Sequence, residues 1–262
     1  MSHILIEIDG PVGIVTLNNP DKHNAFDDTL IADLTAAFRT LDINGAVRVV
    51  VLSAVGKSFS AGADLNWMKR MAGYTEAENL RDAFGLATLM RTLHGMTKPT
   101  IARVHGAAYG GGVGLVACCD IAVGTQSSTF SLSEAKLGLI PAVISPYVIA
   151  AIGERAAHRY FLSAERFDAA EAFRLGLLHE LALDDDAMDD KINDITTALM
   201  ACGPGAIAEA KQLIAAVAGQ PIGYALVNDT ATRIARVRAS AEGREGVAAF
   251  LDKRRASWVL EG

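Results

Sequence analysis

The 262 residues carry 51% hydrophobic and 21% charged side chains, a composition that buries a large core and excludes disorder and fibrous repeats. A formal charge of −6 argues against a protein that grips nucleic acid, because that affinity comes from Lys and Arg displacing counterions. One large α/β domain with a smaller terminal appendage is the layout expected at this length.

Ile4, Ile6 and Ile8 alternate with Leu5, Glu7 and Asp9, Gly10 and Pro11 interrupt, and residues 12–17 resume the pattern, so a β-hairpin opens the fold. Acidic Glu7 and Asp9, with no basic start before a long apolar run, argue against a secretory signal. Residues 18–24 form a turn-rich loop. Beyond it Leu30, Leu34, Ala37, Phe38 and Leu41 recur at helical spacing, with Asp27 or Asp28 as N-cap. The nearly unbroken β-branched run 47–52 marks a strand covered on both faces. Residues 75–96 place Leu80, Phe84, Ala87, Met90 and Leu93 on one helical face before Pro99 stops the helix, and a strand follows over 100–104. This alternation runs to about residue 180 and indicates a layered α/β core. From Asp186 strand signals vanish and helical spacing returns over 188–199, 207–217 and 224–237. A core over residues 1–185 and a helical lobe over 186–262 are therefore expected.

Cys118, Cys119 and Cys202 sit in apolar, helix-like surroundings and read as buried reduced thiols rather than a disulfide framework or a metal site. The longest uncharged stretches, 104–119 and 137–153, are short for a bilayer span and broken by glycines or prolines, so a cytoplasmic protein with no membrane partner is expected. Gly56-Lys57-Ser58 lacks the first glycine of a phosphate-binding loop, where Val51 stands; the glycine run at 110–114 lacks dinucleotide spacing, with Leu115 at the third glycine position. Neither a Gly-x-Ser-x-Gly elbow nor a His-Glu-x-x-His pair occurs. His105 and His158 read as packing or surface residues, and no metal is expected.

Two segments invite chemistry. In one, Asp64 is placed as N-cap of a helix carrying Leu65, Trp67 and Met68, after small residues that let a ligand touch the backbone. In the other, residues 106–112 follow a strand and open a helix, so their N–H groups point outward. Two such donors converging on one oxygen would make an oxyanion hole, although the same glycines also suit a tight turn with close helix packing.

The runs Asn19-Pro-Asp-Lys-His-Asn-Ala25, Lys57-Ser-Phe-Ser-Ala-Gly-Ala-Asp64, Lys98-Pro-Thr-Ile-Ala-Arg-Val-His-Gly106, Tyr109-Gly-Gly-Gly-Val-Gly-Leu115, Cys119-Asp-Ile-Ala122 and Leu137-Gly-Leu-Ile-Pro141 carry a resemblance. In order and spacing they are similar to the enoyl-CoA hydratase/isomerase (crotonase) superfamily, from residue 6 to about residue 258. The resemblance implies a β-β-α spiral core and a C-terminal helical lobe that builds homotrimers or hexamers. It also implies an acyl-CoA thioester as substrate, with coenzyme A part of that substrate and no separate cofactor. The N–H groups of Ala63 and Gly111 would bind the thioester oxygen. Of the two glutamates that hold water in family hydratases, the first position is Gly114 here and the second is Glu134, implied as general acid/base. Taken alone, Ser131 and Glu134 read as a capping box. Ser145 and Tyr147 are candidates to replace the lost glutamate. By resemblance Lys22 and Ala25 lie near the nucleotide, Ala61, Asp64 and Leu65 near the adenine and pantetheine, and Phe250 and Lys253, in the last helix, reach the CoA.

Residues 139–148 and 151–157 look like bacterial methylglutaconyl-CoA hydratases of leucine degradation. They imply hydration of 3-methylglutaconyl-CoA or a related branched acyl-CoA, with Gly114 removing charge and volume beside the acyl chain. The single-glutamate pattern also resembles Δ3,Δ2-enoyl-CoA isomerases, which only move a proton. Outside enzyme chemistry, the rival is a catalytically silent CoA-binding scaffold.

Overall fold

β1 (Ile4–Asp9) and β2 (Val12–Leu17) pair antiparallel, as the isoleucine alternation predicts, across a turn where Gly10 takes φ +53°, a left-handed value that a side chain disfavours. They open a computed structural model that describes residues 3–259. The Asp27 carboxylate accepts the Leu30 N–H at 2.8 Å and starts α1 (Asp28–Ile43), which buries Leu30, Leu34, Ala37, Phe38 and Leu41. β3 (Val49–Ala54) begins two residues into the β-branched run and is buried at every position. β4 (Ser58–Ser60) follows it at once, before α2 (Leu65–Met71) and α3 (Glu76–His94).

The succession of long strand, short strand and helix then repeats. It returns as β5 (Thr100–Val104), β6 (Ala107–Tyr109) and α4 (Gly111–Cys118), and again as β7 (Ile121–Thr125), β8 (Thr129–Ser131) and α5 (Ser145–Ser163). β9 (Arg166–Asp168), α6 (Ala169–Leu175), β10 (Glu180–Ala182) and α7 (Asp185–Ala201) follow. Among the described residues the long strands form one sheet, ordered β1-β2-β3-β5-β7-β10, and the short strands another, ordered β4-β6-β8-β9. All pairings are parallel except β1 with β2 and β8 with β9. Each repeat thus gives one strand to each sheet before a helix returns the chain, which is the expected β-β-α spiral. β4 and β6 run side by side, with Ser60 opposite Ala108, and release the chain into two adjacent turns at Gly62 and Gly110.

The chain forms two compact units, one holding residues up to Met96 together with Thr100–Asn193, the other Thr97–Pro99 and the chain from Asp194 onward. The division falls inside α7, beyond the acidic loop at 184–186. The first turns of α7 bury Met188 and Ile192 and tie Asp189 to Arg103 and Lys191 to Glu180, so they belong to the first unit. The second unit adds α8 (Pro204–Val217), α9 (Tyr224–Ala239) and α10 (Ala241–Leu251), where Glu242 accepts the Gly205 and Ala206 N–H groups and closes the open end of α8. No described helix is long and apolar enough to cross a membrane.

Three sequence expectations need correction. Leu80 and Phe84 are exposed, Phe84 lining a groove with Ile31, Ala36 and Gly85; only Leu89, Met90 and Leu93 of that helix are buried. Cys118 and Cys119 are buried as expected, but Cys202 is exposed just beyond α7. Lys253 lies outside the last helix, since α10 ends at Leu251 and Lys253 takes a left-handed φ of 54°.

Candidate active site

The first of the two turns is held from behind by the loop before α1. Asn24 is buried and uses all of its amide: Nδ2 donates to the Val55 and Ser58 carbonyls at 2.9 Å, and Oδ1 accepts the Asn19 N–H at 2.8 Å. Ser60 Oγ donates to the Asn24 carbonyl at 2.8 Å, and the Ala61 N–H donates to that of His23 at 2.9 Å. The next contact fixes the turn itself. The Phe26 N–H donates to the Gly62 carbonyl at 2.7 Å, and the Phe26 carbonyl accepts the Asp64 N–H at 2.8 Å. In such a parallel bridge the residue between the two bonded peptides turns its own N–H away. The Ala63 N–H is therefore open, and it donates to no other described residue.

Asp64 closes this turn as the N-cap of α2, accepting the Asn66 and Trp67 N–H groups at 2.8 and 3.0 Å and the Lys22 ammonium at 3.0 Å. Burial opposes its ionisation, but Lys22 and the two N–H donors outweigh burial and hold the carboxyl below the usual carboxylate range.

The second turn is built on Gly110, whose φ of 50° and ψ of −117° suit glycine alone. Its N–H donates to the Ser131 carbonyl at 2.9 Å. Gly111 then opens α4, and like the other N–H groups of a helical first turn its own has no acceptor within the helix; it donates to no other described residue. The two turns abut: a Cβ added to Gly110 would lie 4.0 Å from the Gly62 Cα, and one added to Gly112 would lie 2.9 Å from the Ser60 carbonyl oxygen.

Glu134 meets the same point, with Oε1 3.1 Å from where a Gly110 Cβ would stand. It sits in a 3₁₀ turn, Ser133–Leu137, that has no side-chain cap. The capping-box reading is thereby overturned: Ser131 remains in β8 and points its hydroxyl at the Ala164 carbonyl, 3.4 Å away. Glu134 Oε2 is buried and has no hydrogen-bond partner among the described residues. Burial pushes its carboxyl above the ordinary range, against a smaller pull from its own backbone N–H. A carboxyl that binds its proton more tightly than an ordinary glutamate thus stands beside two turns with open N–H groups. That arrangement can polarise a carbonyl oxygen and move a proton next to it.

Gly114 departs from its expected role. A Cβ there would lie 2.3 Å from Ile144 Cγ2 and 3.2 Å from Met90 Cε, so Ile144 already fills the space where a glutamate side chain would begin. No extra room beside an acyl chain results from this glycine. Ser145 and Tyr147 are not hydrogen-bonded to Glu134: the Ser145 hydroxyl donates to the Ala142 carbonyl at 2.8 Å, and the Tyr147 ring packs edge-on against His94. Of the expected CoA contacts, Lys22 and Asp64 are joined as an ion pair, Ala25 is buried, and Ala61 and Leu65 are exposed, Leu65 at 73%. Phe250 and Lys253 lie in the second unit. His105 is structural, its Nε2 donating to the Gly56 carbonyl at 2.8 Å, and His158 is a surface residue near Glu154. Sequence reading missed Phe26 and Ile144, although Phe26 directly follows the Asn24-Ala25 end of a motif.

Two outcomes follow from this packing. Gly114→Ala should destabilise the fold by about 1–3 kcal/mol through overlap with Ile144, and adding Ile144→Ala should make the combined loss in thermal denaturation smaller than the sum of the two single losses. Glu134→Gln should melt at a higher temperature than the wild type at neutral pH. A raised carboxyl pKa contributes stability only below the unfolded pKa and loses it as pH rises through the folded pKa, so the gap should shrink as the pH is lowered into the ordinary carboxylate range.

A family model described as enoyl-CoA hydratase/isomerase matches residues 7–260. A Thermus thermophilus protein that carries an enoyl-CoA hydratase name is 32% identical over 247 residues, covering 94% of this chain and 96% of its own. Among solved structures, an enoyl-CoA hydratase from Shewanella pealeana superposes with a TM-score of 0.95 at 44% identity, covering 98% of this chain and 96% of its own. A Legionella pneumophila chain named as an enoyl-CoA hydratase/isomerase (crotonase) gives 0.92 at 48% identity, with 98% and 99% covered.

Proposed function

Because the chain belongs to the enoyl-CoA hydratase/isomerase family, we propose that it adds water across the 2,3 double bond of an enoyl-CoA, with the Ala63 and Gly111 N–H groups on the thioester oxygen and Glu134 moving the proton. The observation that carries this reading is the unpartnered Glu134 Oε2 beside two turns with open N–H groups. As water adds to C3, negative charge develops on the thioester oxygen, and fixed donors stabilise that enolate more than the ground state. The Glu134 carboxylate takes a proton from the water whose oxygen bonds C3 and returns it to C2 as the enolate collapses. A single carboxyl serves both transfers when its pKa lies nearer neutrality than an ordinary glutamate.

Coenzyme A arrives as part of the substrate and no separate cofactor is used, with Lys22, Ala25, Ala61, Asp64 and Leu65 on its path. For the acyl group we favour 3-methylglutaconyl-CoA or a related branched chain, as in leucine degradation. That preference rests on the 139–148 run and on the exposed Leu137, Leu139 and Ile140 just beyond Glu134, since Gly114 opens no space. A cytoplasmic location and a homotrimer or hexamer are part of the same reading; the assembly is supported by Ile214, Ile222, Tyr224 and Phe250, all exposed on the second unit of the single chain. One observation favours a second reading: with Ile144 in the place of another carboxylate, the site also suits a Δ3,Δ2-enoyl-CoA isomerase.

Absorbance of the conjugated thioester separates these activities. In a panel that also holds a 3-enoyl-CoA, crotonyl-CoA and 3-methylglutaconyl-CoA should lose conjugation by hydration, with a preference above about tenfold for the branched substrate. Glu134→Gln should remain folded and lose about a hundredfold or more in kcat. Gain of conjugation from the 3-enoyl-CoA without hydration of the others would move the protein to the isomerase reading.

A further inference from the structure

Phe26 is 2% exposed and joins the two turns of the site. Its backbone is bonded to the first on both sides of Ala63, at Gly62 and at Asp64. Its ring meets the second, for a Cβ added to Gly111 would lie 3.3, 3.4 and 3.6 Å from the ring atoms Cε2, Cδ2 and Cζ. Glycine at 111 therefore lets the start of α4 rest on the ring. The neighbours of Phe26 are themselves fixed, Asn24 by its three amide hydrogen bonds and Asp27 by capping α1. One residue with a rigid ring thus spans the interval between the two open N–H groups, touching each turn within one residue of its donor.

We propose that Phe26 is a positioning residue for the reaction, setting the spacing and aim of the Ala63 and Gly111 donors. The inference rests on the reading that these donors hold the thioester oxygen. Oxyanion donors act over a narrow range of about 2.7–3.1 Å from the charged oxygen, so a shift of a few tenths of an ångström weakens them. Removing the ring takes away the atoms that the start of α4 meets at Gly111. The glycines permit the close approach, and the ring fixes where it ends.

The test reads the polarisation of a bound thioester directly. 2,4-Hexadienoyl-CoA bound to Glu134→Gln, which cannot turn it over efficiently, should show a red-shifted absorbance because the two donors draw electron density onto the carbonyl oxygen. In Phe26→Ala/Glu134→Gln the ligand should still bind while the red shift is lost. In the Glu134 background, Phe26→Ala should lower kcat by about tenfold or more with KM changed much less. A full red shift in the double variant would overturn the role of Phe26 and leave the donors in place. Absence of any red shift with Phe26 present would overturn the donor reading and this inference with it. If Phe26→Ala does not fold, Phe26→Leu decides in the same way: a reduced shift supports the proposal and an undiminished one overturns it.

Discussion

The close approach of two glycine turns governs the whole site. Gly62 at φ +91° has the Tyr109 carbonyl oxygen 3.2 Å from where a Cβ would stand, and a Cβ on Gly110 at φ +50° would lie 3.1 Å from Glu134 Oε1 and 4.0 Å from the Gly62 Cα. A side chain at 62 would crowd the backbone of β6, which the parallel sheet brings beside β4, and one at 110 would crowd Glu134. That approach sets side by side the turns that carry the open Ala63 and Gly111 N–H groups, lets Phe26 touch both, and leaves Glu134 against Gly110. The spiral of repeats supplies it, because successive repeats lay their short strands side by side in the second sheet, with Ser60 at the end of β4 opposite Ala108 of β6.

Two acidic side chains at this point are treated in opposite ways, and the contrast separates architecture from chemistry. Asp64 is buried with three stabilising contacts, from the Lys22 ammonium and the Asn66 and Trp67 N–H groups, and stays ionised. Glu134 is partly buried with an unpartnered oxygen, and burial raises its pKa. A group left in this condition lowers the stability of the fold at neutral pH, which a purely structural role does not explain. Its energetic disadvantage is also what suits it to exchange a proton at a higher pH than an ordinary glutamate.

Local physics made much of this legible in the sequence. Alternating isoleucines marked the hairpin, a β-branched run marked β3, and Asp27 and Asp64 stand as N-caps where side chains of that type satisfy open N–H groups. The six matching motifs pointed to the fold and to both turns. Contacts between distant residues were not legible. Ile144 fills the space at Gly114 from thirty residues away, and no periodicity links the two. Ser131 and Glu134 have capping-box spacing, yet Ser131 is drawn into β8 by pairing with β6 and β9, so the local signal loses to the sheet. Leu80 and Phe84 keep helical spacing on a face that the single chain leaves uncovered.

The pH dependence of kcat/KM for enoyl-CoA hydration tests the central claim most directly, because it reports the ionisation of Glu134 in the free enzyme. A carboxyl with a raised pKa becomes protonated, and unable to accept a proton from water, at a higher pH than an ordinary glutamate. The expected profile therefore falls on the acid side with a one-proton slope and a midpoint above the ordinary carboxylate range. A midpoint within or below that range would contradict the account.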